Sequence, residues 1–139
     1  MREFAKGDVL VLPVKVVTQD MICRYADAAE DHNPLHVDPE FAKTSRYGGT
    51  IAHGMLTTAF LQELMVRNFG LAWLENGKIE VNFMAPVRPG DRIVAEAKVA
   101  NVVLTDDGTK KAHVQMRLFC SKENQEKVIK GQARVTVSL

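Results

Sequence analysis

The sequence predicts an α+β protein in which a curved antiparallel sheet wraps around one long buried helix. Two patterns indicate this fold class: residues 51–69 are apolar on nearly every side, and four later segments alternate apolar and polar residues. A chain of 139 residues is about the length of one domain, and it contains neither a linker nor a repeat. We therefore expect a single domain over residues 1–139.

The N-terminal part is expected to form an edge strand followed by a helix. Residues 9–17 are rich in β-branched side chains, and Pro13 within them is typical of an edge strand or a bulge. Thr18 can cap the helix, whose apolar residues recur at three- and four-residue spacing. This helix should end near Asp31, because Pro34 cannot continue it.

The next two segments differ sharply in character. Residues 31–50 contain two prolines and a pair of glycines, which predicts a folded loop with at most a short helix around residues 39–44. Loops of this length are uncommon in compact domains and are usually functional. Residues 51–69 follow as a helix about 28 Å long. Because it is apolar on nearly every side, this helix belongs in the protein interior.

The C-terminal half is expected to supply the sheet. Period-two alternation, typical of half-buried strands, occurs in four segments: 79–85, 93–99, 113–120 and 132–138. Turns are predicted at Pro89-Gly90-Asp91 and at Asp107-Gly108. Since such a sheet leaves free edges and an apolar rim, we expect a homodimer or a dimer-based homo-oligomer.

Composition excludes several classes of partner. The 18 Lys and Arg nearly balance the 17 Asp and Glu, so no strong field would hold nucleic acid or an anionic membrane. No apolar run reaches the roughly 20 residues that cross a bilayer, and the N-terminus lacks a signal-peptide core. Cys23 and Cys120 form no CxxC pair. We expect a cytoplasmic protein that binds neither nucleic acid nor membrane.

Two ionisable side chains in the loop are candidates for proton transfer. Asp31 and His36 would point about 140° apart on a helix, but Pro34 breaks the helix and a turn can return both to one pocket. A carboxylate beside an imidazole can move protons to and from water. Spacing alone favours a simpler interpretation, in which Asp31 ends the helix and His36 lies on the surface.

The segment GGTIAHGM, residues 48–55, opens the buried helix. The first N–H groups of a helix have no internal acceptor, and the helix dipole favours an oxyanion placed before them. Gly54 would let a ligand carbonyl approach the backbone closely, although the glycines could merely permit a tight turn. For His53 we expect a structural role in this turn.

Together the two segments, DHNPLHVDPEFAKTSRYGGTIAHGM, resemble the hydratase signature of the MaoC-like (R)-specific enoyl-CoA hydratases and 3-hydroxyacyl-thioester dehydratases. FMAPVRPGD, residues 83–91, is similar to a strand and turn of the same family. The resemblance implies the hotdog fold and a hydro-lyase that reversibly adds water, in syn geometry, to a trans-2-enoyl thioester. It also implies a dimer with the thioester entering near the subunit interface, and no cofactor or metal.

The resemblance also implies roles for individual residues. Asp31 and His36 match the pair that activates water, and Gly54 matches the residue whose N–H polarises the thioester carbonyl. Asn33 matches the amide residue of the motif, which is expected to shape the loop at the substrate site. The family lines its acyl pocket from the buried helix, so three residues on the side of Gly54 are expected to bind substrate: Thr58, Gln62 and Met65.

Some alternatives stay open at this point. Gln62 is expected to shorten the pocket or to bind a polar acyl group, which favours short or functionalised chains; alternatively it faces the sheet and binds a backbone group. A metal cluster could also be drawn from neighbouring side chains: Asp31, His32, His36 and Asp38. The other open functions are dehydration of acyl-carrier-protein substrates, a hotdog thioesterase, and a non-catalytic acyl-CoA-binding domain.

Overall fold

The computed structural model describes residues 3–139, which form one antiparallel sheet and five helices. The strands are β1 (Val9–Val11), β2 (Lys15–Val16), β3 (Lys78–Phe83), β4 (Arg92–Leu104), β5 (Lys111–Lys122) and β6 (Lys127–Ser138). The helices are α1 (Gln19–Ala29), α2 (Pro34–Val37), α3 (Pro39–Lys43), α4 (Gly54–Phe69) and α5 (Leu71–Asn76). The predicted α+β class is confirmed.

The sheet has the order β1-β4-β5-β6-β3, with β2 also on β4. Although the strands after α5 are all antiparallel, β3 pairs with β6 and not with β4, the next strand along the chain. The connection of residues 84–91 contains two prolines and runs past the start of α4. There the Val87 carbonyl accepts a hydrogen bond from the Ala52 N–H (2.7 Å). This crossing places residues 84–87 beside the helix start.

The N-terminal prediction agrees closely with the structure. β1 and β2 both pair with β4 and are separated around Pro13, as expected of an edge strand interrupted by proline. The Thr18 side chain caps α1 by accepting a hydrogen bond from the Met21 N–H (3.1 Å). α1 ends at Ala29, and Glu30 follows with a left-handed φ of 55°. This reversal directs the chain into the loop that starts at Asp31.

The long helix α4 packs against the inner face of the sheet. Leu61, Leu64 and Met65 are almost completely buried, as are the inward residues of β4 and β5. The helix begins at Gly54, three residues later than predicted, because His53 has an extended backbone and the Ala52 N–H bonds to the Val87 carbonyl. Its burial is also less complete than predicted, since Met55 and Val66 are 55% and 40% exposed. Within residues 3–139, no helix is both long and apolar enough to span a membrane.

Candidate active site

A cavity of about 640 Å³ lies at the start of α4, between the loop that follows α1 and the segment that follows β3. Asp31, His36 and Gly54 all line it. Asp31 lies in the loop after α1, His36 lies on α2, and Gly54 is the first residue of α4. The apolar part of the wall comes from the segment after β3 and from β6: Met84, Ala85, Val87, Val128 and Ile129. The structure therefore gathers the three residues proposed for catalysis around one space.

Asp31 is held at the end of α1 by backbone hydrogen bonds. Its N–H donates to the Ala26 carbonyl (3.0 Å), and one carboxylate oxygen accepts from the Asn33 N–H (3.3 Å). Its side chain remains 53% exposed, so the carboxylate is accessible from the cavity. Asn33 is exposed and acts as a cap, because its side-chain oxygen accepts from the Leu35 N–H (3.0 Å) at the start of α2.

His36 lies on α2, a four-residue helix that the sequence analysis did not predict. Its Nδ1 is 2.8 Å from the Ile51 carbonyl oxygen. Because a carbonyl can only accept, Nδ1 carries the proton and the Nε2 lone pair is left free. The amide nitrogen of Gln19 donates to the backbone carbonyl of His36 (2.8 Å), and Gln19 also accepts from the Thr50 hydroxyl (2.6 Å). The imidazole is thus fixed in the tautomer that a proton acceptor needs.

Gly54 is the first residue of α4, so its N–H has no acceptor within the helix. A Cβ placed on Gly54 would come within 2.6 Å of the Phe83 ring, so a larger residue would force that ring to move. Phe83 also lines the cavity. The N–H group, the absence of a side chain and the positive end of the helix dipole together suit a carbonyl oxygen that gains negative charge.

A third ionisable side chain, His53, joins the cavity wall. Ligand-type atoms of Asp31, His36 and His53 all lie within 4.8 Å of one another. The metal cluster drawn from the sequence does not assemble as drawn, because His32 bonds to Asp27 (2.8 Å) and Asp38 caps α3. Zinc takes ligand atoms about 2 Å from the ion, so the three side chains here would have to move closer together to hold one. That the protein binds no metal therefore stays a prediction.

Comparison with known proteins identifies the family. Residues 5–135 match the family described as MaoC like domain. The chain belongs to this MaoC-like family. It is 39% identical over 103 residues to 3-hydroxyacyl-thioester dehydratase Z of Mycobacterium tuberculosis, and the matched region covers 70% of this chain and 68% of the relative. It is 33% identical over 127 residues to an (R)-specific enoyl-CoA hydratase of Rhodospirillum rubrum, and the matched region covers 88% of this chain and 81% of the relative.

Solved structures give the same answer for the fold. The MaoC-like dehydratase from Rhodospirillum rubrum has a TM-score of 0.81 at 28% identity and covers 97% of this chain and 93% of its own. The (R)-hydratase from A. caviae has a TM-score of 0.80 at 25% identity and covers 99% of both chains. The hotdog fold is therefore confirmed, and this MaoC-like protein is an enzyme of the hydro-lyase class.

The three residues predicted on α4 to bind substrate lie outside the cavity wall of this MaoC-like protein. Thr58 is buried and its hydroxyl donates to the Gly54 carbonyl (2.9 Å), while Met65 is completely buried in the core. Gln62 accepts a hydrogen bond from the indole N–H of Trp73 (2.7 Å) on α5, a helix that the sequence analysis did not predict. None of these three side chains lines the cavity, so no contact in the structure supports their predicted role in substrate binding.

Several cavity residues were missed by the sequence analysis. Thr57 reaches the wall from α4, one position before Thr58. Tyr47 lines the cavity from the loop after α3, where its hydroxyl accepts a hydrogen bond from the guanidinium of Arg46 (2.6 Å). Arg46 also lines the wall, but it was not missed, because the sequence offers it, with Arg88 and Arg92, as a candidate contact for the phosphates of coenzyme A. The segment 83–87 supplies much of the rest, and its resemblance to a family motif was the one available signal for it.

Proposed function

We propose that this MaoC-like protein catalyses the reversible syn hydration of a trans-2-enoyl-CoA to the (R)-3-hydroxyacyl-CoA. One observation carries the proposal: a carboxylate, an imidazole with a free Nε2 and an unpaired helix N–H line the same cavity. The names of the two relatives, a hydratase and a thioester dehydratase, describe the two directions of such a reaction.

In the hydration direction, Asp31 and His36 hold one water molecule between them. The Nε2 of His36 accepts a proton from the water while the Asp31 carboxylate accepts a hydrogen bond from its other hydrogen. The water oxygen forms a bond to C3 of the substrate, and the C2–C3 double bond opens. The imidazolium then returns its proton to C2 from the same side, which gives syn addition. An acid–base pair of this kind contributes about 10²–10⁴-fold in rate.

The electron pair displaced from C2–C3 passes transiently onto the thioester oxygen as an enolate. The Gly54 N–H donates to this oxygen, and the positive end of the α4 dipole lies beside it. Loss of one such donor costs about 10²–10³-fold in kcat. Protonation at C2 returns the electron pair to carbon and restores the neutral thioester.

We further propose a homodimer whose active site lies near the subunit interface. β1 and β3 lie at the two ends of the strand order, so each has a free edge. Phe83 and Met84 border the cavity and are each more than half exposed, which suits a position near a subunit interface. Arg46 is the arginine at the cavity wall and is therefore the candidate for contact with the phosphates of the carrier.

The direct test is the decrease in enoyl absorbance when the purified protein is mixed with crotonyl-CoA. We expect activity in the wild type and a loss of about 10²-fold or more in D31N and in H36A. Asp27 and His32 offer a matched control, because they form an Asp–His contact (2.8 Å) on the surface nearby. D27N and H32A should keep wild-type activity.

Two outcomes would contradict the proposal. Wild-type inactivity towards enoyl thioesters of several lengths would favour an acyl-CoA-binding domain. Release of free thiol from a saturated acyl-CoA, dependent on Asp31, would instead indicate a thioesterase. Chiral analysis of the hydroxy product tests the stereochemistry separately, and light scattering during size-exclusion chromatography tests the dimer.

A further inference from the structure

We propose that His53 is a positioning residue that keeps Asp31 and His36 in the geometry needed for proton transfer. This inference rests on the proposed hydration chemistry, but its evidence is a separate set of contacts. The sequence analysis gave His53 only a structural role in the turn before α4. Its surroundings in the structure connect it to all three positions of the proposed catalytic machinery.

The His53 side chain contacts both members of the acid–base pair. Its Nε2 is 3.0 Å from the backbone carbonyl oxygen of Asp31 and 4.0 Å from a carboxylate oxygen of the same residue. Because the carbonyl can only accept, Nε2 carries the proton and donates it. The His53 ring also stacks on the His36 ring, with 3.8 Å between centroids and 26° between planes. The backbone of His53 leads directly into Gly54.

A purely structural role explains these contacts poorly. His53 occupies the N-cap position of α4, where Ser, Thr, Asp or Asn would bind a free N–H, yet its side chain makes no capping bond. It is only 4% exposed, and within residues 3–139 its buried Nδ1 has no hydrogen-bond partner. An unpaired buried acceptor destabilises the fold. An imidazole at this position therefore lowers the stability of the fold. The hydrogen bond that it does make is to the carbonyl of Asp31, a member of the proposed acid–base pair.

Both members of the pair need such support. Asp31 follows the left-handed residue Glu30 and its side chain is half exposed, so its backbone hydrogen bonds, including the one from His53, set the position of its carboxylate. His36 lies on a helix of only four residues. The donor bond from His53 fixes the Asp31 carbonyl, and the stacked ring fixes the plane of the His36 imidazole. A displacement of about 1 Å in such a site can cost about 10²-fold in rate.

Two substitutions separate the two contacts. H53F keeps an aromatic ring to stack on His36 but removes the donor to Asp31, and it also removes the unpaired Nδ1. H53Q keeps an N–H donor on a side chain of similar reach but removes the ring. We expect each variant to lower kcat for hydration by about 10-fold or more while KM changes less than about threefold, as for a misplaced reacting group. H113F is the matched control, because His113 is exposed on β5, lies outside the cavity wall and has its Nδ1 2.8 Å from the Thr136 hydroxyl.

An NMR measurement tests the same inference without activity. The His36 Nδ1–H, held against the Ile51 carbonyl, should give an observable proton signal in the wild type. We expect this signal to weaken or disappear in H53Q, which lacks the stacked ring. If the wild type hydrates enoyl-CoA but a folded H53F or H53Q keeps kcat within twofold, the positioning role is wrong. If the wild type is inactive, the proposed function is wrong. An unchanged His36 signal in H53Q would show, independently of activity, that the positioning role is wrong.

Discussion

The two halves of α4 differ in what their side chains do. The first turn lines an accessible cavity, carries a glycine with a free N–H and follows a buried histidine that touches two ionisable residues. The second half packs Leu64 and Met65 into the core and ties Gln62 to Trp73. We call the first turn, from Gly54, the chemical end of α4, and the second half, which contains Gln62, Leu64 and Met65, its structural end. Substitutions at the first should change rates, and substitutions at the second should change stability.

The largest effect is expected at the structural end. Met65→Ala should lower the free energy of unfolding by about 2–5 kcal/mol, because it leaves a cavity in a completely buried site. Urea denaturation followed by circular dichroism measures this change. The kcat of the remaining folded protein should stay near wild type. A large decrease in kcat without loss of stability would show that Met65 belongs to the chemical end after all.

Gly54→Ala tests the chemical end. The added methyl group meets the Phe83 ring at 2.6 Å and narrows the approach to the Gly54 N–H. We expect kcat/KM to fall by about 10²-fold, as for a small misplacement of the reacting groups. The double variant G54A/F83L relieves the contact with the ring, so any recovery of activity there measures the part due to the clash. Unchanged activity in G54A would exclude a close approach of the substrate at this residue.

Gln62 distinguishes the two halves most directly. Gln62→Ala leaves the Trp73 indole N–H without its acceptor, which should cost about 1–3 kcal/mol in stability. Q62E is the matched control, since its carboxylate can still accept that bond. The relative rates on enoyl-CoAs of increasing chain length should be the same as in wild type. A changed chain-length preference would instead support the sequence-based prediction that Gln62 binds substrate.

Cys120 reports on the packing between the sheet and the first turn of α4, because its sulfur lies 3.9 Å from the Thr57 carbonyl oxygen. Burial raises the pKa of its thiol from 9.0 to about 12. Between these values the unfolded chain loses the proton while the folded protein keeps it, so stability falls as pH rises above about 9. The loss should approach about 1.4 kcal/mol per pH unit. Comparing thermal unfolding of wild type and C120A from pH 8 to 11 checks this, and identical pH dependence in the two proteins would contradict it.

The smallest effect is expected at Arg46, on the exposed side of the cavity wall. Removing an exposed charge that contacts a carrier phosphate costs up to about 1 kcal/mol, so R46A should raise KM by about two- to fivefold and leave kcat unchanged. The increase should diminish at high salt, where exposed charges are screened. Lys111→Ala, at the exposed start of β5 and outside the cavity wall, is the control for a general loss of positive charge. No change of KM in R46A at low salt would assign the carrier contact to another residue.

Much of this arrangement follows from local sequence. The Thr18 cap, the interruption at Pro13 and the alternating strands are short-range signals, and the structure agrees with each of them. What the sequence did not show depends on distant contacts. The start of α4 is set by the bond between Ala52 and Val87, and the partner of β3 is set by the path of the chain between strands.

The candidate site was predictable in part for the same reason. The motif places Asp31, His36 and Gly54 close together in the chain, and all three line the cavity. Helical spacing from Gly54 put Thr58 and Gln62 on a common side, but it could not show that the cavity stops at the first turn. The partner of Gln62 is Trp73, which lies on α5, a helix that the sequence did not predict. The single domain, the cytoplasmic location and the absence of metal stay predictions.

The hydrogen bond between Ala52 and Val87 has a consequence for the shape of substrates. It joins the residues just before α4 to the segment after β3, and both Ala52 and Val87 line the cavity. These two walls cannot separate without breaking it. A bulky branch near the thioester would therefore have to extend towards Arg46 and Tyr47, where the loop is more exposed. Comparing the rates of thioesters with branched acyl groups would show which wall of the cavity can move to admit a branch.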